Sequence, residues 1–340
     1  MRSTIGRLVI GTTLLAVTIA GSTACGGRRT GAKADTAGGA ITCTVDRDTR
    51  LSIATGNATG VYYSLGNAYA LQVKATTANK VQATAAETGA SVQNIQQLVA
   101  GEYQVAFSLF DSATDAAQGK GFFDGKRQPI QALARIYDNY THVVVRADAG
   151  INSVADMKGK RISTGSPKSG TEVIAQRLLK AAGLDPEKDI TAQRLDLTKS
   201  IDGMKDGSID GLVWSGGLPT PGITDLFTTI GDKVKFIEVT ALLPKLRESN
   251  QAYQVGSIPA ATYRTAADIP TIVVPNVLLV KEDLDANVAC ALVKTLFDKR
   301  EELVKVNASA KGISLETARK TDPVPLHRGA KEALDKLGAK

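Results

Sequence analysis

Asn57, Thr59 and Tyr62 stand around two glycines in the stretch Thr55-Gly56-Asn57-Ala58-Thr59-Gly60-Val61-Tyr62. Amide and hydroxyl groups beside glycine suit a small polar ligand, because glycine lets the backbone approach it closely. The flanking residues say how the group is held. Leu51 and Ile53 alternate with Ser52 and Ala54, the period of a half-buried strand. From about Val61 the residues Tyr62, Leu65, Ala68, Tyr69 and Gln72 recur at helical steps. A strand feeding a helix through such a loop leaves unpaired N–H groups at the positive end of the helix dipole, which favours a carboxylate or a phosphate. A βα turn that merely favours glycine accounts for the stretch equally well. The loop has no Lys, so it is no P-loop, and Gly56 and Gly60 alone do not make a dinucleotide fingerprint. The sequon Asn57-Ala58-Thr59 lies inside the turn and carries little weight.

Catalytic chemistry finds little support. The two histidines are His142, at a strand start, and His327, in the turn Pro325-Leu326-His327-Arg328-Gly329. Neither accompanies a nucleophile elbow, and both read as structural. No C-x-x-C or paired-histidine spacing points to a metal, and no cofactor is expected. The chain therefore reads as a binder rather than an enzyme.

The N-terminus reads as an address. Arg2 and Arg7 precede the apolar run Leu8 to Ala20, and Ser22-Thr23-Ala24-Cys25 resembles a bacterial lipobox. Cleavage before Cys25 would place lipid on its thiol and hold the protein at the outer face of a cell membrane; a plain secretory signal with an accidental Cys is the alternative. The Gly/Ala/Thr-rich segment after it reads as a tether. Cys43 and Cys290 remain, and outside the cytoplasm an isolated pair is expected to be disulfide-bonded, tying the N-terminal segment to a late helix over Leu284 to Val304. The formal charge is +7, but Lys and Arg are spread among acids, which argues against nucleic acid.

Strands and helices alternate along the remaining chain, implying α/β layers. Expected strands lie at 80–84, 105–108, 130–136, 142–145, 161–163, 211–214, 269–274 and 277–280. Ser91 is read as the N-cap of one helix. Polar loops follow five apolar strands, at 56–62, 88–91, 108–112, 165–171 and 214–219. Ligands of open α/β sheets bind outside the carboxyl ends of strands, so loops from two lobes facing each other over a cleft make a closing two-lobed binder. Trp214, the single tryptophan, reads equally as a core cap or a ligand platform.

Eight blocks occur in order: GNATGVYYSLGNA, ETGASVQNIQQLVAGEYQVAFSLFD, FF-DG after GKG, HVVVRADAGI, DMKGKRISTGSPKSGTE, IDGLVWSGGLPTPGI, IPAATYRTAADIPTIVVPNVLLV and PLHRGA. Over roughly Leu51 to Arg328 the chain thereby resembles the TAXI-type substrate-binding proteins of tripartite ATP-independent periplasmic (TRAP) transporters. The resemblance implies a type II periplasmic-binding fold, in which two α/β lobes bind a small solute between them. The implied layout is a lipoprotein signal over 1–24, a flexible tether over 25–45, lobe I over 46–146 with 266–340, and lobe II over 147–265. The implied solute is a glutamate-like amino acid or a dicarboxylate, delivered to a TRAP permease by a monomeric receptor. Carried over by motif, Asn57, Thr59, Gly60 and Tyr62 hold the ligand with Ser91, Ser108 and Asp111. Ser166, Ser169, Gly170, Thr171, Trp214, Gly216 and Pro219 close from the other lobe, and Tyr137 lies near the crossing. Asp111 takes a ligand ammonium or caps a helix. Arg135 and Lys168 depart from the family pattern; Arg135 reads as a carboxylate clamp or, preferably, a paired structural arginine. A surface sensor or an ABC-type receptor on the same fold is the alternative function.

Overall fold

The computed structural model describes residues 39–340. The expected signal peptide over 1–24, the expected lipidation of Cys25 and the expected tether up to residue 38 fall outside the described residues. The chain begins with β1 (Thr49–Ala54), α1 (Val61–Thr76), β2 (Val81–Ala86), α2 (Ser91–Ala100), β3 (Val105–Leu109) and α3 (Phe110–Gln118). It crosses on β4 (Ile130–Arg146) and continues through β5 (Arg161–Ser163), α4 (Gly170–Ala181), β6 (Thr191–Gln193), α5 (Leu197–Asp206) and β7 (Gly211–Gly216). Then come α6 (Pro221–Ile230), β8 (Val234–Phe236), α7 (Leu243–Ser249), β9 (Gln254–Ile258) and α8 (Ala260–Tyr263). The return is β10 (Ile269–Lys281), followed by α9 (Ala286–Asp298), α10 (Arg300–Val306) and α11 (Arg328–Lys336).

One sheet runs through both lobes in the order β2-β1-β3-β10-β4-β7-β5-β6, with β8 on β4 and β9 on β10. The outer strands pair in parallel, β1 with β2 and β3, and β5 with β6 and β7. Two long antiparallel strands join the lobes. In β10, Asn276–Leu279 pairs with β3 while Ile269–Val273 pairs with β9. In β4, Ile130–Tyr140 pairs with β10 and Tyr140–Val145 with β7. At about 3.3 Å per residue the 17 residues of β4 reach some ~55 Å, enough to belong to both lobes.

The sequence suggests two extended segments where β4 is continuous, because Asp138 and Asn139 interrupt the apolar run. Their polarity is absorbed inside the sheet. Asn276 Nδ2 donates to Tyr137 O and to Asn139 Oδ1, both at 2.8 Å, and Asn139 Nδ2 donates to Ser215 O at 3.2 Å. The expected helix over Leu284 to Val304 is in turn two, since Lys299 leaves helical geometry and α10 restarts with Glu301 and Glu302 in its first turn, where the dipole favours acids.

Each lobe buries the sheet on both faces. In the first, Ile53, Tyr69, Leu133 and Leu292 fill one layer, and Ile95, Leu98, Ala132 and Leu279 the other. In the second, Val143, Val145, Ile162 and Ile174 pack on one side, and Val144, Met204, Leu212 and Trp214 on the other. This is why β3, β7 and β10 read as continuous apolar runs rather than alternations.

Cys43 and Cys290 form a disulfide with a Cα–Cα distance of 4.8 Å. Beside it Ile41 and Val45 pack on the first core, and Thr42 N and Cys43 N donate to Asn287 Oδ1. Residues 41–45, expected within the tether, are thus part of the folded body.

His142 sits at 0 % exposure inside the second lobe. Thr220 N donates to Tyr263 Oη at 2.9 Å, and that hydroxyl lies 3.0 Å from His142 Nε2. Nδ1 lies 2.9 Å from Tyr140 O, which can only accept, so the proton sits on Nδ1 and Nε2 accepts. Burial lowers its pKa from 6.5 to about 4. The unfolded chain therefore binds a proton that the folded one refuses between these values, and stability falls as pH drops from 6.5 to 4, by up to about 1.4 kcal/mol per unit. His327, also lowered by burial, adds in the same direction. Urea unfolding of His142→Gln against the wild type should show a shallower loss of stability between pH 6.5 and 4.5; parallel curves would contradict this account.

Candidate functional site

The carboxyl ends of β1, β2, β3, β5 and β7 point into a gap between the lobes. Gly56, Asn57, Gly60 and Tyr62 border it from the first loop, and Gly89, Ala90 and Ser91 from the second. Ser169, Gly170 and Thr171 face them from the other lobe with Trp214, Ser215, Gly216 and Gly217. Asn139, on the crossing strand, closes the back. The gap contains about 410 Å³ of space including its mouth. The lobes bond directly across it, Gln93 N donating to Lys168 O at 3.0 Å and Leu197 N to Asn57 Oδ1 at 3.1 Å.

Three helices begin at this gap: α1 at Val61, α2 at Ser91 and α4 at Gly170. Their positive ends converge where, among the described residues, no Lys, Arg, Asp, Glu or His borders the space. Of the described residues at the gap, Tyr62 is the one that titrates. Burial raises its hydroxyl pKa well above the ordinary value, and Tyr137 nearby adds to the rise, so it stays a neutral phenol. Its Oη donates to Asn276 Oδ1 at 2.5 Å. An anion in this gap would meet amide dipoles and hydroxyls rather than cations.

Ser91 is the first residue of α2 rather than its N-cap, which is Ala90, and Ser91 Oγ accepts from Leu109 N at 3.0 Å. Ser169 does cap α4, accepting from Glu172 N at 2.9 Å. Thr171 Oγ1 accepts from Ser215 N at 3.2 Å. Gly170 lies so close to the first lobe that a Cβ there would stand 2.6 Å from Ser91 Oγ and 2.5 Å from Leu109 Cδ1. Only glycine permits this approach. Trp214 belongs to the second core and also flanks the gap, its ring facing Gly60 across the cleft. Of the buried hydroxyl oxygens that find no partner in the protein, Ser215 Oγ lies on the gap wall and Tyr137 Oη belongs to a ring beside Gly217.

Other expected ligand residues lie elsewhere. Ser108 Oγ turns back to Leu109 O at 2.9 Å and is fully buried. Thr59 and Ser166 make contacts between the lobes, to Thr198 Oγ1 and to Asn57, at 3.2 Å each. Pro219, after a cis bond, gives its carbonyl to Asn307 Nδ2. Asp111 neither borders the gap nor caps α3, whose N-cap is Leu109. Its carboxylate is buried against Arg177 at 2.9 Å and the Tyr253 hydroxyl. Burial raises its pKa against the pull of those donors. Arg135 pairs with Asp138 at 3.0 Å, the structural alternative, and Lys168 sits at the cleft rim with Nζ 3.2 Å from Gln96 Oε1. Asn139, Ser215 and Asn276 escaped sequence reasoning; the available signal was polarity inside the apolar strands VVPNVLLV and LVWSGG.

Two α/β lobes, crossed by two strands and closed over a gap at strand ends, define the architecture of periplasmic solute-binding proteins. The chain belongs to the NMT1-like family, whose model matches residues 53–338. Its fold is similar to that of a protein from Bordetella bronchiseptica RB50, with a TM-score of 0.51 and 20% identity over 84% of this chain and 81% of that one. It is also similar to the binding-protein component of an ABC phosphonate transporter from Pseudomonas aeruginosa, with a TM-score of 0.53 and 14% identity over 78% and 80% of the two chains. Among the described residues no helix is long and apolar enough to cross a membrane.

Proposed function

We propose that this chain is an extracytoplasmic solute receptor that closes two lobes, 46–146 with 266–340 and 147–265, around a small anion and presents it to a membrane transporter. The observation that carries the reading is Ser215 Oγ, buried without a protein partner in a gap where three helix N-termini meet. A carboxylate or comparable oxyanion would satisfy that hydroxyl and the converging amides. Among the described residues no carboxylate borders the gap to receive an ammonium, which favours a dicarboxylate over a glutamate-like zwitterion. Both histidines make their hydrogen bonds away from the gap, and among the described residues no nucleophile–base pair stands there, which supports a binder over an enzyme.

The ordered sequence blocks favour a TRAP permease as the partner, with Cys25 lipidated at the outer membrane face. The similarity to a phosphonate transporter component supports an ABC-type receptor at least as well. A thermal-shift panel of succinate, 2-oxoglutarate, glutamate, methylphosphonate and methanesulfonate separates these solutes, because ligand bound to the native state raises Tm. We expect one of the anions to raise Tm, and Gly170→Ala to weaken that anion at least tenfold by holding the lobes apart. No shift with any anion, or full affinity in Gly170→Ala, would count against the reading.

A further inference from the structure

Helices at the gap send first-turn amides across it. In α2, which has no side-chain cap, Gln93 N donates to Lys168 O of the second lobe at 3.0 Å. In the opposite direction, Leu197 N, the first amide of α5, donates to Asn57 Oδ1 at 3.1 Å. Gly222 N, in the first turn of α6, donates to Thr59 O at 3.3 Å, and α6 likewise has no side-chain cap. The first amides of a helix have no acceptor within it, so each of these bonds fills a need that neither lobe meets by itself at that position.

Asn57 is the centre of the arrangement. Its Nδ2 donates to Thr88 O at 3.3 Å and to Ser166 Oγ at 3.2 Å, while Oδ1 takes the α5 amide. Both N–H groups and a carbonyl lone pair of its amide are thus committed to protein, and no donor is left for a solute. The residue is 6 % exposed, so water does not substitute for these partners.

We infer that Asn57 is a positioning residue, a latch that holds the lobes shut by capping α5 from across the cleft, and that reciprocal capping of α2 and α6 completes the latch. Opening frees a first-turn amide of all three helices together, although α5 keeps its own Asp196 cap on Lys199 N; closing satisfies them. The closed form is favoured by the protein's own groups, and a solute adds to a preference already present. The role rests on the receptor reading for its purpose but not for its test, which needs no solute.

Trp214 is the only tryptophan of the chain, and a Cβ on Gly60 of the other lobe would stand 3.3 Å from its ring. Its fluorescence therefore reports closure. In solute-free protein, Asn57→Ala should raise acrylamide quenching of Trp214 several-fold, shift its emission to the red and increase the radius of gyration in X-ray scattering. Asn57→Asp keeps an acceptor for Leu197 N but loses both donors and sets a carboxylate against Thr88 O, so it should open the lobes as well. Loss of one cap corresponds to about a fivefold shift of the closed–open equilibrium. Wild-type quenching in Asn57→Ala overturns the latch. If Asn57→Ala stays closed yet loses the Tm shift given by an anion of the panel, Asn57 is a solute contact instead. A latch that responds as expected in a protein giving no shift with any anion leaves this inference standing and sinks the receptor reading.

Discussion

Replacing Arg177 with Met lowers the unfolding free energy at pH 7 by about 3–5 kcal/mol, the cost of leaving buried charge without its partner. Arg177, on α4, reaches out of the second lobe to two aspartates of α3 in the first. Its guanidinium lies 2.9 Å from Asp111 Oδ2 and 2.6 Å from Asp115 Oδ2, and donates to Tyr253 Oη at 2.8 Å. Asp111 is fully buried and Asp115 is 4 % exposed. Asn250 Nδ2 supports the cluster at 3.1 Å from Asp115 Oδ1. Removing the cation leaves two carboxylates facing each other in a dry environment. The pH dependence identifies the cause. Asp111 already titrates above its ordinary value because of burial, and loss of Arg177 raises it further. A carboxylate whose folded pKa exceeds its unfolded one destabilises the protein above that pKa and is relieved as pH falls. The deficit of Arg177→Met should therefore shrink between pH 7 and pH 5, and Asp111→Asn in the same chain should recover part of it. A deficit below 1 kcal/mol, or one that does not change with pH, would show that the cluster is not held by charge.

Loss of the disulfide has the second large effect. The bond joins residues 247 apart, and closing so long a loop removes much freedom from the unfolded chain. The chain-entropy model puts this at about 5 kcal/mol, with measured effects more often about 2–4. Cys43→Ala with Cys290→Ala should lower the urea midpoint accordingly, as should reduction of the wild type. The segment at 41–45 keeps its apolar contacts and the Asn287 hydrogen bonds, so the effect should fall on global unfolding and leave the Trp214 emission unchanged. Equal midpoints with and without the bond would refute the account.

Both effects bear on how much the sequence alone discloses. The Gly-rich corner at 56–62, the strand feeding it and the helix leaving it are legible because each depends on local rules: alternation, helical spacing and glycine at a tight turn. The disulfide is legible too, from cysteine number and a secretory leader. Asp111 shows the limit. In sequence it is an acid at a loop after an apolar strand, equally fit for a ligand ammonium or a helix cap. Its partner Arg177 lies 66 residues away on the other lobe, so nothing local marks the pair. Ser215 and Asn139 were missed for the same reason, since a polar residue in an apolar strand becomes informative only when the neighbouring strands reveal whether it has a partner.

By itself the amino-acid sequence determined the principal strands, helices and polar corners, and hence an α/β protein with a cleft at its strand ends, but not the short or exposed strands β6, β8 and β9. Tertiary structure alone decided which corner residues turn into the gap, which bind each other across it, and which are consumed in buried ion pairs. Secondary structure follows from contacts a few residues apart, whereas the fate of a polar side chain is set by whichever distant group folding brings within about 3 Å of it.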